Sequence, residues 1–264
     1  MPVVRIDRFD DPRIADYRNV SDAELLRLRN RFVAEGRLVV SRLLDAGIRV
    51  ESLLLNAASF RALEASLASR QDLPVYVCER EELAAITGFN LHRGCLALAE
   101  RPGDRLLLDI ARHSDLLLVL EGVADADNVG SAFRNAAAFG AGVVLSETSC
   151  DPLYRKAVRT SMGAVLRTPY ARTHAWPDDL TTLKAEGFTL VALTPRADAV
   201  DLAACTQRPP HHRVALLVGS EGAGLTGAAE QAADIRVRIP ISADVDSLNL
   251  ATATGIALYH FGRR

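Results

Sequence analysis

The chain has 264 residues, 49% apolar and 5% aromatic, with a formal net charge of −2. That composition supports one large or two ordinary domains, and it favours helices packed on a sheet over an all-β sandwich. No apolar run reaches the roughly 18 to 20 residues that span a bilayer, and the opening MPVVRIDRFDDPRIADY has no apolar signal core, so neither a membrane span nor export is expected and the location reads as cytoplasmic.

Ser21-Asp22-Ala23-Glu24 is a capping box, in which serine and glutamate side chains satisfy free N–H groups at a helix start; it predicts a helix through the following LLRLRNR. A second helix is expected over Arg37 to Asp45, with Gly47 as its left-handed cap. Then come a strand at Val50–Leu55, a helix at Ser59–Leu67 and a strand at Val75–Cys78 begun by Pro74. A helix at Glu79–Ile86 and a closing strand at Gly94–Ala99 complete this α/β unit. Arg101-Pro102-Gly103-Asp104 breaks the pattern, so domains of 1–105 and 106–264 are expected.

The second domain offers apolar strands at Leu116–Leu120, Gly142–Leu145, Thr189–Leu193, Val214–Val218 and Ile235–Ile239. Helical stretches separate them at Val129–Phe139, Asp178–Glu186, Gly227–Gln231 and Leu248–Tyr259. Near-continuous apolar strands point to a parallel sheet covered on both faces, an α/β fold.

Charge is more informative in its distribution than in its sum. Lys156 and Lys184 are the only lysines among 31 basic residues. Residues 27–42 carry Arg27, Arg29, Arg31, Arg37 and Arg42 against Glu35; residues 151–172 carry Arg155, Lys156, Arg159, Arg167 and Arg172 against Asp151. Such runs are commonly solvated helix faces, but two of them also suit contact with RNA phosphates. Cys78, Cys95, Cys150 and Cys205 lie far apart with no CxxC pair, so no metal is expected, and His211-His212 after Pro209-Pro210 reads as linker.

Three segments can carry chemistry. Gly222-Ala223-Gly224-Leu225-Thr226-Gly227 fits GxGxxG after a strand, with Asp244 and Asp246 downstream, so a dinucleotide site is formally available. Glu221 places a carboxylate where a pyrophosphate needs neutral or positive surroundings, and there is no Lys-Ser/Thr pair for a P-loop. A carboxylate beside close-approaching glycine backbone suits S-adenosyl-L-methionine better, since that cofactor carries a sulfonium cation and no phosphate. The second segment runs from Glu121-Gly122 through Asn128, Gly130 and Arg134; alone, Asn128 reads as a helix cap and Arg134 as a surface arginine. The third is Ile239-Pro240, a short acidic loop, then Ser247-Leu248-Asn249, where Ser247 alone reads as a cap.

In order and spacing, these segments resemble the three signature motifs of the SpoU/TrmH RNA methyltransferases of the SPOUT class. Asn128, Gly130 and Arg134 match the first motif; Gly219, Glu221, Gly222, Gly224 and Leu225 the second; Ile239-Pro240 and Ser247-Leu248-Asn249 the third. Ser161-Met162-Gly163-Ala164 is similar to a segment these proteins carry between motifs, and Leu250 departs from the commoner valine. The likeness covers Leu116 to the C-terminus. Residues 1–105 are more loosely similar to a ribosomal-protein-like substrate-binding domain, with His92-Arg93-Gly94-Cys95-Leu96-Ala97 as its closing strand.

The resemblance implies a C-terminal domain tied in a deep trefoil knot and a homodimer packed through it. It also implies transfer of a methyl group from S-adenosyl-L-methionine to a ribose 2′-hydroxyl, on ribosomal RNA ahead of transfer RNA. Arg134, Asn128, Glu221, Ser247 and Asn249 are the implied catalytic set. Leu193, Gly219, Glu221, Gly222, Gly224, Ile239, Ser247, Leu248 and Asn249 are the implied cofactor contacts, and Arg27, Arg29, Arg31, Arg37, Arg155 and Arg159 the candidate RNA contacts. The alternatives are a transfer-RNA 2′-O-methyltransferase, a base-methylating relative, or a non-catalytic RNA-binding or ribosome-assembly protein on the same fold.

Overall fold

The computed structural model describes residues 2–18, 20–79, 82–83, 86, 94–205, 212–242 and 244–262. The chain divides into two units, Met1–Gly103 with Pro152–Leu166, and Asp104–Asp151 with Arg167–Arg264. The segment 152–166, expected in the second domain, therefore packs within the first unit.

The first unit is built on a five-stranded sheet of β1 (Val3–Arg5), β2 (Arg31–Glu35), β3 (Val50–Leu55), β4 (Val75–Val77) and β5 (Cys95–Glu100), in the order β1-β4-β3-β5-β2. β1, β4 and β3 run parallel, while β5 is antiparallel to both β3 and β2. The helices are α1 (Asp22–Leu28), α2 (Arg37–Asp45), α3 (Ala57–Leu67) and, from the inserted segment, α6 (Arg155–Thr160). Ser21 caps α1 by accepting from the Glu24 N–H at 3.2 Å. The helix stops at Leu28, three residues short of the expected end, because Asn30 takes a left-handed φ of 52° and the chain turns into β2. α3 begins two residues earlier than expected, since Asn56 caps it through the Ser59 N–H at 2.8 Å. In the inserted segment, Met162 and Gly163 have positive φ, and the Met162 carbonyl accepts from Arg42 at 2.6 Å. Half of the helix expected over Glu79–Ile86, and His92 and Arg93, lie outside the described residues.

The second unit holds a seven-stranded sheet in the order β10-β12-β9-β11-β6-β7-β8, parallel throughout. Its strands are β6 (Leu116–Leu120), β7 (Gly142–Leu145), β8 (Tyr170–Arg172), β9 (Phe188–Leu193), β10 (Val200–Asp201), β11 (Arg213–Val218) and β12 (Ile235–Arg238). The helices are α4 (Leu107–Arg112), α5 (Ala126–Phe139), α7 (Asp179–Ala185), α8 (Gly227–Ala232) and α9 (Leu250–Gly262). The five residues of β6 are all buried, as both-faces-covered strands require. The chain builds outward through β7 and β8, restarts at β9, and then inserts β11 between β9 and β6. Such a change of direction opens a crevice beyond the C-terminal strand ends, where ligands bind in open α/β sheets.

α5 and α9 pack on one another along a stripe. Asn135 donates to the Ala251 carbonyl at 2.7 Å, Gly255 lies against Asn135, and Phe139 meets Tyr259 edge-on. Phe133, fully buried, stacks edge-on against Tyr170.

Candidate functional site

Asp125, not Asn128, caps α5: its carboxylate accepts from the N–H groups of Asp127 at 2.7 Å and Asn128 at 3.1 Å. Asn128 is thereby placed inside the first turn, buried, with its side-chain amide released from capping. At the other end of the chain Asn249, not Ser247, takes the capping role. Its Oδ1 accepts from the Ala251 N–H at 2.9 Å and the Thr252 N–H at 3.4 Å.

The same Asn249 side chain joins all three segments. Its Nδ2 donates to Asn128 Oδ1 at 3.5 Å and to Glu221 Oε1 at 3.3 Å. Both distances exceed the usual 2.7–3.2 Å range, so the amide sits between two acceptors and is seated fully on neither. Residues spaced 121 and 28 positions apart in the chain thus share one polar cluster.

The glycine segment between them is a tight turn. Ser220 and Gly224 form an isolated antiparallel bridge, with the Gly224 N–H donating to the Ser220 carbonyl at 3.0 Å. Gly222 and Gly224 have φ of +86° and +70°, a region that side-chain-bearing residues rarely adopt. A Cβ on Gly219 would lie 2.0 Å from the Gly224 carbonyl carbon and 2.2 Å from the Leu225 nitrogen. The GxGxxG pattern therefore serves backbone folded on backbone.

A cavity of about 560 Å³ opens against this turn. Leu193, Gly219, Glu221, Gly222, Gly224, Ile239, Ser247, Leu248 and Asn249, the residues expected at a cofactor, all line it. So do Thr194, Pro195, Val218, Ser220, Ile241, Asp246, Leu250 and Ala253, which the motifs alone do not single out. Its size falls within the range of small-molecule sites. Among the described residues, Glu221 and Asp246 are its charged liners and no basic residue joins them. Two carboxylates disfavour a pyrophosphate and suit a ligand with a cationic centre. Apolar walls, close-approaching glycine backbone and acidic side chains are together a donor set that fits S-adenosyl-L-methionine. Among the described residues no group of three or more His, Cys, Asp or Glu side chains is placed to hold a metal.

Arg134 stands apart from the cavity. It is exposed on α5, one helical step from Asn135 and so about 100° around from the stripe that faces α9. No described residue holds its guanidinium. Five hydrogen-bond donors on a permanent cation are thus left open to an incoming group.

Glu121 heads the second segment in the sequence, which assigns it no role. It ends β6, is 4% exposed, and accepts from Trp176 Nε1 at 2.5 Å, the Thr226 N–H at 2.8 Å and the Thr226 hydroxyl at 2.7 Å. A carboxylate directly after the all-apolar run LLLVL is the signal in the sequence that points to a buried, partnered side chain there.

The arginines expected at RNA lie in the first unit, and several are occupied by local carboxylates. Arg29 pairs with Asp16 and Glu24; Arg31 pairs with Asp16 at 2.8 Å and with Glu51 at 2.9 Å. Arg159 pairs with Glu35 at 3.2 Å, and Arg37 donates to the Ser59 hydroxyl at 3.1 Å. The Arg155 backbone N–H donates to Asp22 at 2.9 Å. Arg27 is exposed in the last turn of α1 and no described carboxylate pairs with it. The four cysteines are free thiols, Cys78 and Cys95 buried. Of the His pair, His212 is exposed and His211 lies outside the described residues.

Comparison with known proteins bears on this geometry. A family model described as the SpoU rRNA Methylase family matches residues 115–259. The chain is 42% identical over 255 residues to an uncharacterized tRNA/rRNA methyltransferase of Mycobacterium tuberculosis, covering 95% of this chain and 88% of that relative. It is 32% identical over 205 residues to the 23S rRNA (guanosine-2′-O-)-methyltransferase RlmB of Nitrosomonas europaea, covering 75% and 77% of the two. The crystal structure of an AdoMet-bound rRNA methyltransferase from Sinorhizobium meliloti superposes with a TM-score of 0.83 at 30% identity, covering 98% of this chain and 97% of that one.

Proposed function

This chain belongs to the SpoU rRNA methylase family, and on that premise we propose that it methylates a ribose 2′-hydroxyl of RNA with S-adenosyl-L-methionine, ribosomal RNA ahead of transfer RNA. The observation that carries the reading is the Asn249 amide, which draws Asn128 and Glu221 together at the wall of an acidic, glycine-lined cavity. The similarity to a relative named as a 23S rRNA (guanosine-2′-O-)-methyltransferase supports the ribose and the ribosomal target.

When bound, the cofactor supplies a methyl group already activated on sulfur. Leu193, Ile239 and Leu248 would supply apolar walls for the adenine, and the backbone at Gly219, Gly222 and Gly224 would line the rest of the cofactor site. Glu221 and Ser247 give the polar end, and Asn249 holds Asn128 and Glu221 in register. A neutral hydroxyl is a poor nucleophile, so its proton must become easier to lose as the new bond forms. Arg134 serves this electrostatically. Its guanidinium holds the neighbouring phosphate and stabilises negative charge growing on the ribose oxygen. A guanidinium presents hydrogen-bond donors only, so in this reading Arg134 stabilises charge and the ribose proton passes to solvent water as the methyl group is transferred.

Arg134 lies off the cavity wall, so in this reading the site is completed by a second copy packed through the second unit. An exposed stripe of Thr252, Ile256 and Tyr259 on α9, at helical spacing, supports that homodimer. The trefoil knot belongs to the same proposal; the insertion of β11 between β6 and β9 supports it. The first unit is the RNA-binding part. Arg27 is open to phosphates directly, whereas Arg29, Arg31 and Arg159 must exchange a carboxylate for one. Among the described residues no helix is long and apolar enough to cross a membrane, and the protein acts in the cytoplasm.

Mapping 2′-O-methyl groups in cellular RNA with and without the gene tests the proposal. One or a few ribosomal positions should lose their methyl group in its absence. Loss at a transfer-RNA position would move the substrate, and unchanged maps together with no calorimetric binding of S-adenosyl-L-methionine would leave a non-catalytic RNA-binding protein.

A further inference from the structure

We infer that Glu121 is a positioning residue that sets the shape of the glycine turn, and through it the affinity of the cavity for its cofactor, without touching the ligand. The inference rests on the methyltransferase reading and adds a residue to it. Glu121 does not line the cavity, yet both of its oxygens are used. One takes the Thr226 N–H; the other takes the Thr226 hydroxyl and the Trp176 indole N–H.

Thr226 is the residue on which the turn ends. It follows Leu225 and caps α8, its hydroxyl oxygen accepting from the Ala229 N–H at 3.2 Å. At the other end Gly219 closes β11, and the Glu121 N–H donates to the Val218 carbonyl at 2.9 Å. One residue therefore grips the turn at both ends, by backbone at its entry and by carboxylate at its exit. Leu225 and Trp176 pack against the same core cluster, which keeps water from competing for the carboxylate.

The energetics favour a strong grip. Hydrogen bonds to an ionised group exceed neutral ones, and a buried carboxylate is stable in place only while its donors are present. Because Gly219 meets the Gly224 backbone with no room for even a methyl group, a small shift of the exit alters the wall against which the ligand lies. The anchoring is thus coupled to cofactor affinity, and the chemistry at the ribose oxygen is not.

The test uses the intact protein with S-adenosyl-L-methionine and RNA substrate. Compared are wild type, Glu121→Gln, Thr226→Val and the double variant, each held well below its unfolding midpoint as followed by circular dichroism. Glu121→Gln keeps the shape but turns an acceptor into a donor facing the Thr226 N–H. The expected result is a rise of about tenfold in cofactor Kd and KM, with kcat at saturating cofactor within about twofold of wild type. The double variant should be no worse than the poorer single one, because both remove the same contact.

Trp176 is the only tryptophan in the chain, so its emission reports on this carboxylate. Cofactor binding should change the emission of wild type, and Thr226→Val should bind more weakly and lose the change. A Kd for Glu121→Gln within twofold of wild type would overturn the inference, as would a fall in kcat with Kd unmoved. If Glu121→Gln does not fold, Thr226→Val and Trp176→Phe decide in the same way, and wild-type affinity in both would overturn it. Failure of the wild type itself to bind S-adenosyl-L-methionine would instead refute the methyltransferase reading.

Discussion

Adding a single methyl group at Gly219 should close the cofactor site. In Gly219→Ala the new Cβ would stand 2.0 Å from the carbonyl carbon of Gly224, 2.2 Å from its oxygen and 2.2 Å from the Leu225 nitrogen. Carbon atoms in contact sit about 3.5–4.0 Å apart, so backbone must retreat by more than an ångström, and no flexible side chain is there to yield instead. Overpacking of this kind costs about 1–3 kcal/mol. If the turn must be forced back to accept S-adenosyl-L-methionine, that cost appears as a loss of about 5- to 150-fold in affinity. Calorimetric titration measures it, with the thermal midpoint recorded alongside. Gly227→Ala is the internal control. Its Cβ meets nothing within 4 Å, and Gly227 opens α8 without a positive φ, so Kd should hold and stability should stay level or rise slightly. Wild-type affinity and an unchanged midpoint in Gly219→Ala would refute the reasoning.

Arg134→Ala should lower the single-turnover methylation rate by about 10²–10³-fold, as loss of a donor at developing charge does. Its calorimetric Kd for S-adenosyl-L-methionine should stay near wild type, because Arg134 does not line the cavity. Asn249→Ala removes both the cap of α9 and the link between Asn128 and Glu221. It should cost about 0.5–2 kcal/mol in denaturant unfolding and weaken cofactor binding as well. Arg27→Ala should reduce the slope of log RNA affinity against log salt by about one; Arg29→Ala, whose guanidinium is already held by Asp16 and Glu24, should change it less. Burial pushes the Cys78 and Cys95 thiols up to about 12, leaving only about one part in ten thousand as reactive thiolate at pH 8. Iodoacetamide mapped by peptide mass should therefore leave both unlabelled in the native protein, and early labelling of either would contradict their placement.

The second unit is legible in the sequence because strands buried on both faces leave uninterrupted apolar runs, as at Leu116–Leu120 and Val214–Val218. The edge strands Tyr170–Arg172 and Val200–Asp201 are too short to leave such a trace. Arg31–Glu35 is masked by the capping box upstream; pairing with the distant Leu96–Glu100, not local propensity, makes it a strand. At the site, motif order points to the right residues, but their local roles are hidden. Asp125 and Asn128 are both able caps, as are Ser247 and Asn249, and only the folded backbone selects between them. Glu121 is obscured for a simpler reason: its partners Trp176 and Thr226 lie 55 and 105 residues away. The insertion of 152–166 into the first unit is likewise set by long-range packing, with no break in composition to announce it.

Incubation of the purified protein with unmodified ribosomal RNA and methyl-deuterated S-adenosyl-L-methionine, followed by nucleoside mass spectrometry, bears most directly on the assigned chemistry. The account predicts label on a 2′-O-methylated nucleoside, lost in Arg134→Ala. Label on a base, or full labelling by the Arg134 variant, would contradict it.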